Sequence, residues 1–300
     1  MHNEKTAGVI YTAAAYILWG ILPIYWKLID SVFPIEILSN RILWAFVFTV
    51  IIIAATKQWE ELKRIIKDKK QMFYIFIASI LIAFNWGLYI WAVNSGRIVD
   101  ASLGYYINPL FSVALGMVFF NEKLTYWQKA ALSIAAAGVI IKTLQYGRIP
   151  WISLGLAVSF GLYGAMKKSV KASSIVGLTL ETTMLTPIAA AYIASRHFSG
   201  VGAFDKGGTV VILLLIGSGV VTAIPLLLFA SGAKRLPMSL LGFIQYISPT
   251  ISLIIGVFLY HEAFTVVDMI SFGFIWAALA IYSVPQMGLI KKHKNIEPVG

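Results

Sequence analysis

Apolar runs separated by short polar segments follow one another along the whole chain. A helix needs about 20 mostly apolar residues to cross a bilayer, and ten such runs can be drawn here. The predicted spans are residues 7–29, 34–56, 72–94, 101–120, 125–144, 149–166, 175–195, 208–232, 238–260 and 266–286. Lys142 and Arg148 leave little polar sequence between the fifth and sixth runs. The pattern predicts an all-α integral membrane protein with ten transmembrane helices.

One apolar run occurs twice. Residues 105–125 and 245–265 match at seven positions when the chain is shifted by 140 residues. The copies fall on the fourth and ninth predicted spans, so each repeat is five spans long, and an odd number turns the second copy upside down. The sequence therefore predicts two inverted five-helix repeats, residues 7–144 and 149–286. Inverted repeats of this kind are typical of secondary transporters, which alternate access around a site at mid-membrane.

The composition and the charges agree with a membrane protein. Hydrophobic residues make up 59% of the 300 residues and charged residues only 12%. With the N-terminus inside, 17 of the 24 Lys and Arg residues fall in inner segments and 6 in outer segments. The positive-inside rule then predicts that both termini are cytoplasmic. The net charge of +11 lies in short loops and not in a basic stripe, so we expect no nucleic-acid partner.

The two prolines of the duplicated run are predicted to kink their helices. Pro109 and Pro249 each free a backbone carbonyl four residues earlier, which in a membrane must find a partner or face a cavity. Either the prolines only bend packed helices, or both kinks face one central cavity, as the symmetry favours. Polar side chains near the kinks are then predicted substrate contacts: Tyr105, Asn108, Gln245 and Ser248.

The third span adds two further candidates. Asn85 and Tyr89 are four residues apart and share a helix face. A buried amide needs hydrogen-bond partners, so both residues are predicted substrate contacts. Trp86 and Trp91 either stack on a planar substrate or pack against lipid and neighbouring helices.

Ionisable residues within the predicted spans are few. Arg41 lies seven residues into the second span, where a charge costs roughly 2.5 to 3.5 kcal/mol. Glu36 is about 140° away around the helix axis, so a partner on another helix is expected. We predict that Arg41 holds an anionic group of the substrate or has a structural counter-ion. Glu36 and Glu181 leave three interpretations open: proton-coupling sites, ligand contacts, or interfacial residues exposed to water.

Signatures of catalysis are missing. There is no cysteine, and the histidines lie in predicted tails or loops without metal-ligand spacing. These histidines are His2, His197, His261 and His293. Glu122 and Glu262 are interpreted as helix-end markers, because the threonine three residues after each can cap the next helix. We expect no metal, no cofactor and no enzymatic activity.

The residues themselves resemble a known family. WGILPIYWK, NPLFSVALGMVFFNEKLT and its second copy SPTISLIIGVFLYHEAFT are similar to the EamA-type permeases of the drug/metabolite transporter superfamily. NWGLYIWAVN, GYYINPL and GFIQYISPT resemble its RarD group, whose members are named for chloramphenicol sensitivity or resistance. The resemblance covers residues 7–286. It implies a bacterial inner-membrane permease with ten helices around a central pathway for small organic molecules.

The sequence as a whole predicts a secondary or facilitative transporter, an exporter that alternates access around spans three, four, eight and nine. No central span carries a carboxylate at its midpoint, which weakens proton antiport and leaves facilitated diffusion open. The alternatives are a lipid-modifying membrane enzyme and a channel or assembly subunit. Membrane lipid and a small-molecule substrate are the expected partners.

Overall fold

Helices form all the regular structure in the described part of the chain, which comprises residues 2–94, 98–147, 151–261 and 264–294 of a computed structural model. Within these ranges the elements are α1 (His2–Lys27), α2 (Pro34–Thr56), α3 (Trp59–Lys67), α4 (Lys69–Asn94), α5 (Ile98–Phe120), α6 (Tyr126–Tyr146), α7 (Trp151–Ser169), α8 (Ser174–Phe198), α9 (Ala203–Lys206), α10 (Thr209–Ala233), α11 (Met238–Gln245), α12 (Ile247–Leu259) and α13 (Val266–Lys294).

A helix, or the pair α11 and α12, coincides with each predicted span. Eight of these segments in the described residues are long and apolar enough to cross a membrane. The two others are α6 and α7, the fifth and sixth predicted spans, whose composition is less apolar. The prediction of an all-helical, multi-pass membrane protein is therefore confirmed, with eight candidate spans. Crossings by α6 and α7 stay a prediction.

A short helix occupies a segment where the sequence predicted only an inner loop. In α3, Leu62 and Ile65 pack against the ends of neighbouring helices, while Trp59 and Ile66 are exposed. Glu61 Oε1 accepts a hydrogen bond of 2.6 Å from the backbone N–H of Ser173, the N-cap residue of α8. This hydrogen bond thus joins α3 to the connection between α7 and α8.

The duplicated run folds in two partly different ways. Helix α5 continues through Pro109, whereas its counterpart is interrupted at Tyr246, between α11 and α12 and three residues before Pro249. Asn121 and His261, related by the shift of 140, both adopt the left-handed conformation, with φ of 51° and 53°. Both copies therefore end their helix by the same backbone turn.

The threonines that follow these turns cap the next helices, as predicted. Thr125 forms a capping box with Gln128 at the start of α6. The Thr265 hydroxyl accepts a hydrogen bond of 3.2 Å from the backbone N–H of Asp268 at the start of α13. Glu262, the second predicted helix-end marker, lies outside the described residues.

Polar contacts show which helix ends lie together. The end at which α1 begins is called here the inner end, and the opposite end the outer end. At the inner end Glu4 pairs with Arg235, at 2.8 Å, after the end of α10. Glu122, after the end of α5, accepts hydrogen bonds of 2.6 and 2.9 Å from the N–H groups of Met238 and Ser239. Glu122 is thus more than a marker, because it caps the N-terminus of α11.

The outer end is held by equivalent contacts. Lys142 near the end of α6 pairs with Asp268 at the start of α13. Glu36 at the start of α2 accepts a hydrogen bond of 2.5 Å from the N–H of Ala203 at the start of α9. Consecutive long helices therefore run in alternating directions between the two ends.

Candidate substrate-binding site

Arg41 lies inside the bundle with two tryptophans around its guanidinium group. It is the seventh residue after Pro34, or about 10 Å along α2 from the outer end. Its Cζ lies 4.5 Å from the ring centre of Trp26 on α1 and 4.9 Å from that of Trp86 on α4. Its Nε donates a hydrogen bond of 3.0 Å to the hydroxyl of Thr222 on α10. A partner on another helix was expected, and these contacts join four helices.

Two tyrosines lie beside this cation. The rings of Tyr89 on α4 and Tyr105 on α5 meet edge to face, with centroids 6.1 Å apart. Both tyrosines are close enough to interact electrostatically with Arg41. They are 38% and 48% exposed, although both lie deep among protein atoms. Their exposed surface therefore faces a recess between helices. We call this the Arg41 recess, formed by Trp26, Arg41, Trp86, Tyr89, Tyr105 and Thr222.

Asn85 faces a different neighbour from Tyr89. Its Nδ2 donates hydrogen bonds of 2.9 Å to the carbonyl of Leu156 and the hydroxyl of Ser159, both on α7. The amide nitrogen thus joins α4 to α7. Contact of Asn85 with substrate stays a prediction, and it would have to use the remaining amide oxygen.

The other predicted substrate contacts lie along α5, α11 and α12. Asn108 and Gln245 are each 4% exposed, and their amide oxygens have no hydrogen-bond partner in the described residues. Ser248 is partly buried, and its carbonyl faces Gly20 of α1. No hydrogen bond or ring contact of the described residues joins these three to the Arg41 recess. Their role as substrate contacts stays a prediction.

The proline of α5 lies where two helices approach closely. A Cβ atom on Gly242 would be 2.7 Å from the carbonyl oxygen of Pro109, which is too short for any side chain at that position. Tyr246, at the break between α11 and α12, donates a hydrogen bond of 3.4 Å to the carbonyl of Tyr106. The two copies of the duplicated run therefore cross each other near their prolines.

A buried ion pair lies near the inner end. Lys167 Nζ of α7 is 2.7 Å from Glu181 Oε1 of α8, and both side chains are 2% exposed. The hydroxyl of Tyr163 donates a second hydrogen bond of 3.2 Å to Glu181. The interpretation of Glu181 as an interfacial residue exposed to water is therefore wrong. The carboxylate is removed from water because α4 and α10 each pack against both α7 and α8.

Aromatic rings fill the space next to this ion pair. Tyr163 stacks on Phe229 of α10, with centroids 6.0 Å apart and planes 12° apart. Tyr16 and Trp19 of α1 and Phe160 of α7 complete the group, with neighbouring centroids 5.3 to 6.1 Å apart. We call these five residues the aromatic layer. Its rings fill the space between α1, α7 and α10.

Lys234 is a further cation at the inner end. It follows the last residue of α10 and donates a hydrogen bond to the carbonyl of Ala172. Burial, and then the neighbouring Lys167 cation, lowers the pKa of Lys234 to about 8. This cluster is therefore rich in positive charge around a single buried carboxylate.

Glu36 is also buried, at 2% exposure, so its interpretation as a water-exposed residue is wrong. Its Oε2 lies 3.6 Å from Nε of Arg196 near the end of α8. Beside it is a cavity of about 280 Å³ between α2, α8 and α9. His197 and Asp205 line the same cavity and pair at 2.7 Å. The described residues contain no group of three or more His, Asp or Glu side chains that could hold a metal ion.

Sequence reasoning did not predict three residues of these clusters. Trp26 and Thr222 contact Arg41, and Lys167 pairs with Glu181. A signal for Lys167 was present, since it lies four residues after Tyr163 and therefore on the same helix face. Thr222 follows Ser218 at the same spacing within an otherwise apolar span.

Comparison with known proteins places the chain in a family. Residues 6–144 match the family model described as the EamA-like transporter family. The chain is 52% identical to the uncharacterized transporter YojE of Bacillus subtilis, over 95% of this chain and 96% of the relative. It is 41% identical to the protein RarD of Escherichia coli, over 93% and 95%. The protein belongs to the EamA transporter family, as a RarD-like permease.

More distant matches agree with this assignment. A protein of Pseudomonas aeruginosa named chloramphenicol-sensitive protein RarD is 26% identical over 95% of this chain and 96% of the relative. A solved crystal structure with 16% identity covers 93% of this permease and 98% of its own chain, with a TM-score of 0.71, which supports the fold alone. The RarD-like permease is a multi-pass bacterial membrane protein and a membrane transporter, in a lipid environment.

Proposed function

We propose that this permease exports small organic molecules by alternating access, through ten transmembrane helices arranged as two inverted repeats, residues 7–144 and 149–286. The Arg41 recess is proposed as part of the substrate site. The observation that carries the proposal is an accessible polar recess among helices of both halves, while the aromatic layer and a buried ion pair close the inner end. A transporter in an outward-open state has this arrangement.

Helix packing supports the inverted repeat. A shift of about 140 residues pairs α1 with α7, α2 with α8, α4 with α10, α5 with α11 and α12, and α6 with α13. Helix α5 packs on α7, and correspondingly α11 and α12 pack on α1. Helix α4 packs on α7 and α10 on α1, whereas α2 packs on α8 and α6 on α13. Exchanging the two halves turns each of these helix contacts into another contact of the same set, as a two-fold relation requires.

Two close glycine contacts support the same relation in atomic detail. A Cβ atom on Gly20 of α1 would lie 2.7 Å from Cβ of Ile251 on α12. A Cβ atom on Gly161 of α7 would lie 2.7 Å from Cδ1 of Phe111 on α5. Gly161 is 141 residues after Gly20, and Ile251 is 140 after Phe111. The two halves thus use equivalent glycines for equivalent close approaches.

The proposed orientation follows from charge. The inner end carries Lys and Arg residues of the segments around α3, α8 and α11, and the positive-inside rule assigns such an end to the cytoplasm. Both termini are then cytoplasmic, and the Arg41 recess opens toward the outside.

Substrate contacts are proposed at several depths. Arg41, Tyr89 and Tyr105 would contact the substrate first, from the accessible side. Asn108, Gln245 and Ser248 would contact it when α5, α11 and α12 move. Asn108 and Gln245 support this, because their buried amide oxygens have no partner among the described residues. Asn85 would act through its amide oxygen. The prolines Pro109 and Pro249 are proposed as the points at which these helices bend.

Energy coupling is proposed to involve Glu36 or Glu181, if transport is active. Each carboxylate is buried beside a cation, so its protonation would weaken an ion pair at one end of the bundle. Export without coupling, by facilitated diffusion, uses the same helix movements and no proton.

Transport in everted membrane vesicles tests the function. Vesicles containing the permease should accumulate a labelled substrate from a panel of amino acids and chloramphenicol, more than vesicles without it. Chloramphenicol is included because a relative is named for sensitivity to it. A proton gradient should raise accumulation if transport is coupled and should leave it unchanged if it is not. Failure of every compound to distinguish the two vesicle types would count against export of these classes.

Alternating access can be tested separately because the chain has no cysteine. A single cysteine in place of Tyr105 should react with a membrane-impermeant thiol reagent from the outside. A single cysteine in place of Ser239, which is 4% exposed at the inner end, should react from the inside only when that end opens. Substrate should change the two rates in opposite directions. Parallel changes at both positions would contradict alternating access.

A further inference from the structure

We propose that the Arg41 recess selects organic monocarboxylates with a flat apolar body. This inference rests on the proposed function, since it names the substrate class of the proposed site. It follows from the way in which the charge, the hydrogen-bonding edge and the aromatic walls of the recess are arranged.

The first step concerns charge balance. Three other buried or partly buried cations of the described residues lie beside a carboxylate: Lys167 beside Glu181, Lys142 beside Asp268 and Arg196 beside Glu36. Two more, Lys168 and Lys234 near the inner end, donate to backbone carbonyls. Within the same part of the chain, Arg41 has no carboxylate within ion-pair distance. Its neighbours are a hydroxyl and two aromatic rings. A cation at this depth without a counter-ion favours an anionic ligand.

The second step concerns geometry. A guanidinium group carries five N–H donors in one plane. The Nε donor is used by Thr222, whereas the two terminal nitrogens have no hydrogen-bond acceptor among the described residues. Trp26 and Trp86 approach the group within 5 Å of its Cζ and hold it in place. Two parallel donors at a fixed edge match the two oxygens of a carboxylate.

The third step concerns the rest of the ligand. Tyr89 and Tyr105 beside Arg41 are each more than a third exposed, and an edge-to-face contact covers at most one face of each ring. Flat apolar groups gain from stacking on such rings. A ligand with two charges would bring a second anion into the bundle, where no second cation of the described residues contacts the recess. The recess is therefore suited to a single carboxylate on a flat body.

Benzoate and benzamide form the minimal pair of probes, since they share shape and differ in charge. The permease would be placed in nanodiscs of zwitterionic lipid, and its unfolding temperature measured against probe concentration to obtain apparent affinities. We expect benzoate to bind at least tenfold more tightly than benzamide, and at least threefold more tightly than the non-planar cyclohexanecarboxylate. Equal affinities for benzoate and benzamide in the unmodified protein would overturn the inference without any variant.

Variants at Arg41 locate the effect. Arg41→Gln should weaken benzoate binding at least tenfold and leave benzamide unchanged, whereas Arg41→Lys should weaken it less because the charge remains. The matched control is Arg235→Gln, which removes an arginine at the inner end that pairs with Glu4 and should bind benzoate normally. Unchanged benzoate binding in Arg41→Gln would refute the assignment. If Arg41→Gln does not fold, Arg41→Lys and the pair of probes still decide.

Two further arms separate the possible sources of failure. Phosphatidylglycerol in the nanodisc should not abolish the benzoate effect. If it does, lipid headgroups occupy the recess and the inference is wrong. Counterflow of labelled benzoate in proteoliposomes tests transport itself. Acid-selective binding without counterflow would support this inference and contradict the proposed transport. Counterflow of neutral compounds that is unaffected in Arg41→Gln would support the proposed transport and contradict this inference.

Discussion

Replacing Glu181 by Gln should strongly destabilise the permease, because it leaves the Lys167 cation buried without a counter-charge. The two groups are 2.7 Å apart with 2% of each side chain exposed. At an effective dielectric constant of about 20, their gross attraction is about 6 kcal/mol. Much of this is offset by desolvation, yet breaking such a pair by removing one partner costs about 3 to 5 kcal/mol. Loss of the 3.2 Å hydrogen bond from Tyr163 acts in the same direction, unless the amide oxygen keeps it.

The double variant Lys167→Met with Glu181→Leu should behave differently. It removes both charges together and leaves two apolar side chains of similar length in a closely packed region. Replacement of a buried pair by apolar residues is often neutral, or stabilising by about 1 to 4 kcal/mol. We therefore expect the double variant to be more stable than the Glu181→Gln variant by several kcal/mol.

Unfolding of the purified protein in mixed micelles, followed by tryptophan fluorescence, measures these differences. A full double-mutant cycle, in which Lys167→Met and Glu181→Leu are the single variants, separates the pairwise interaction from the effects of each replacement. Arg235→Gln serves as a control, because the exposed pair of Arg235 with Glu4 should contribute less than about 1 kcal/mol. If Glu181→Gln costs no more than this control, water reaches the pair and the reasoning from burial is refuted.

Three other perturbations have definite expected outcomes. Gly20→Leu and Gly161→Leu should each lower the free energy of unfolding by at least about 1 to 3 kcal/mol. A large difference between the two losses would contradict the equivalence of the proposed halves. Glu122→Ala should cost about 1 to 3 kcal/mol, since two backbone N–H groups at the start of α11 lose their acceptor. The pKa of Lys234 is lowered to about 8 in the folded protein, so the penalty for its buried charge is complete below pH 8 and disappears as the pH rises toward its ordinary pKa of about 10.4. Deprotonation of Lys234 should therefore add to the thermal stability measured between pH 7 and 10, and Lys234→Gln should abolish this addition. An identical pH profile in that variant would contradict the lowered pKa of Lys234.

Helix positions were the most predictable part of the fold. A membrane forces nearly every backbone hydrogen bond to be made within a helix, so an apolar run of sufficient length leaves few alternatives. The amphipathic helix α3 was missed because its nine residues, WEELKRIIK, are mostly polar and were interpreted as a loop. Its Leu62 and Ile65 were the available signal, since they are three residues apart and lie on one helix face.

Side-chain partners were much less predictable than helices. That Arg41 needs a partner on another helix follows from the cost of a charge in the membrane. That the partner is Thr222, 181 residues away, depends on how α2 and α10 pack. Nearness to a helix end suggested that Glu36 and Glu181 meet water, but adjoining segments cover both ends. Exposure of a helix end is a property of the assembled bundle, and single-helix patterns do not contain it.

The two proposed repeats differ in chemistry at one position that their similar segments align. The similar segments 18–27 and 159–168 align Trp26 with Lys167. In the first half, Trp26 lies against the cation Arg41, whereas in the second half Lys167 is itself the cation and pairs with Glu181. The two charges of an ion pair neutralise each other without a ligand, but the positive charge of an arginine between two aromatic rings is not neutralised. If the halves exchange conformations as proposed, the inner end can close without a ligand, while the recess near the outer end gains most from closing around an anion.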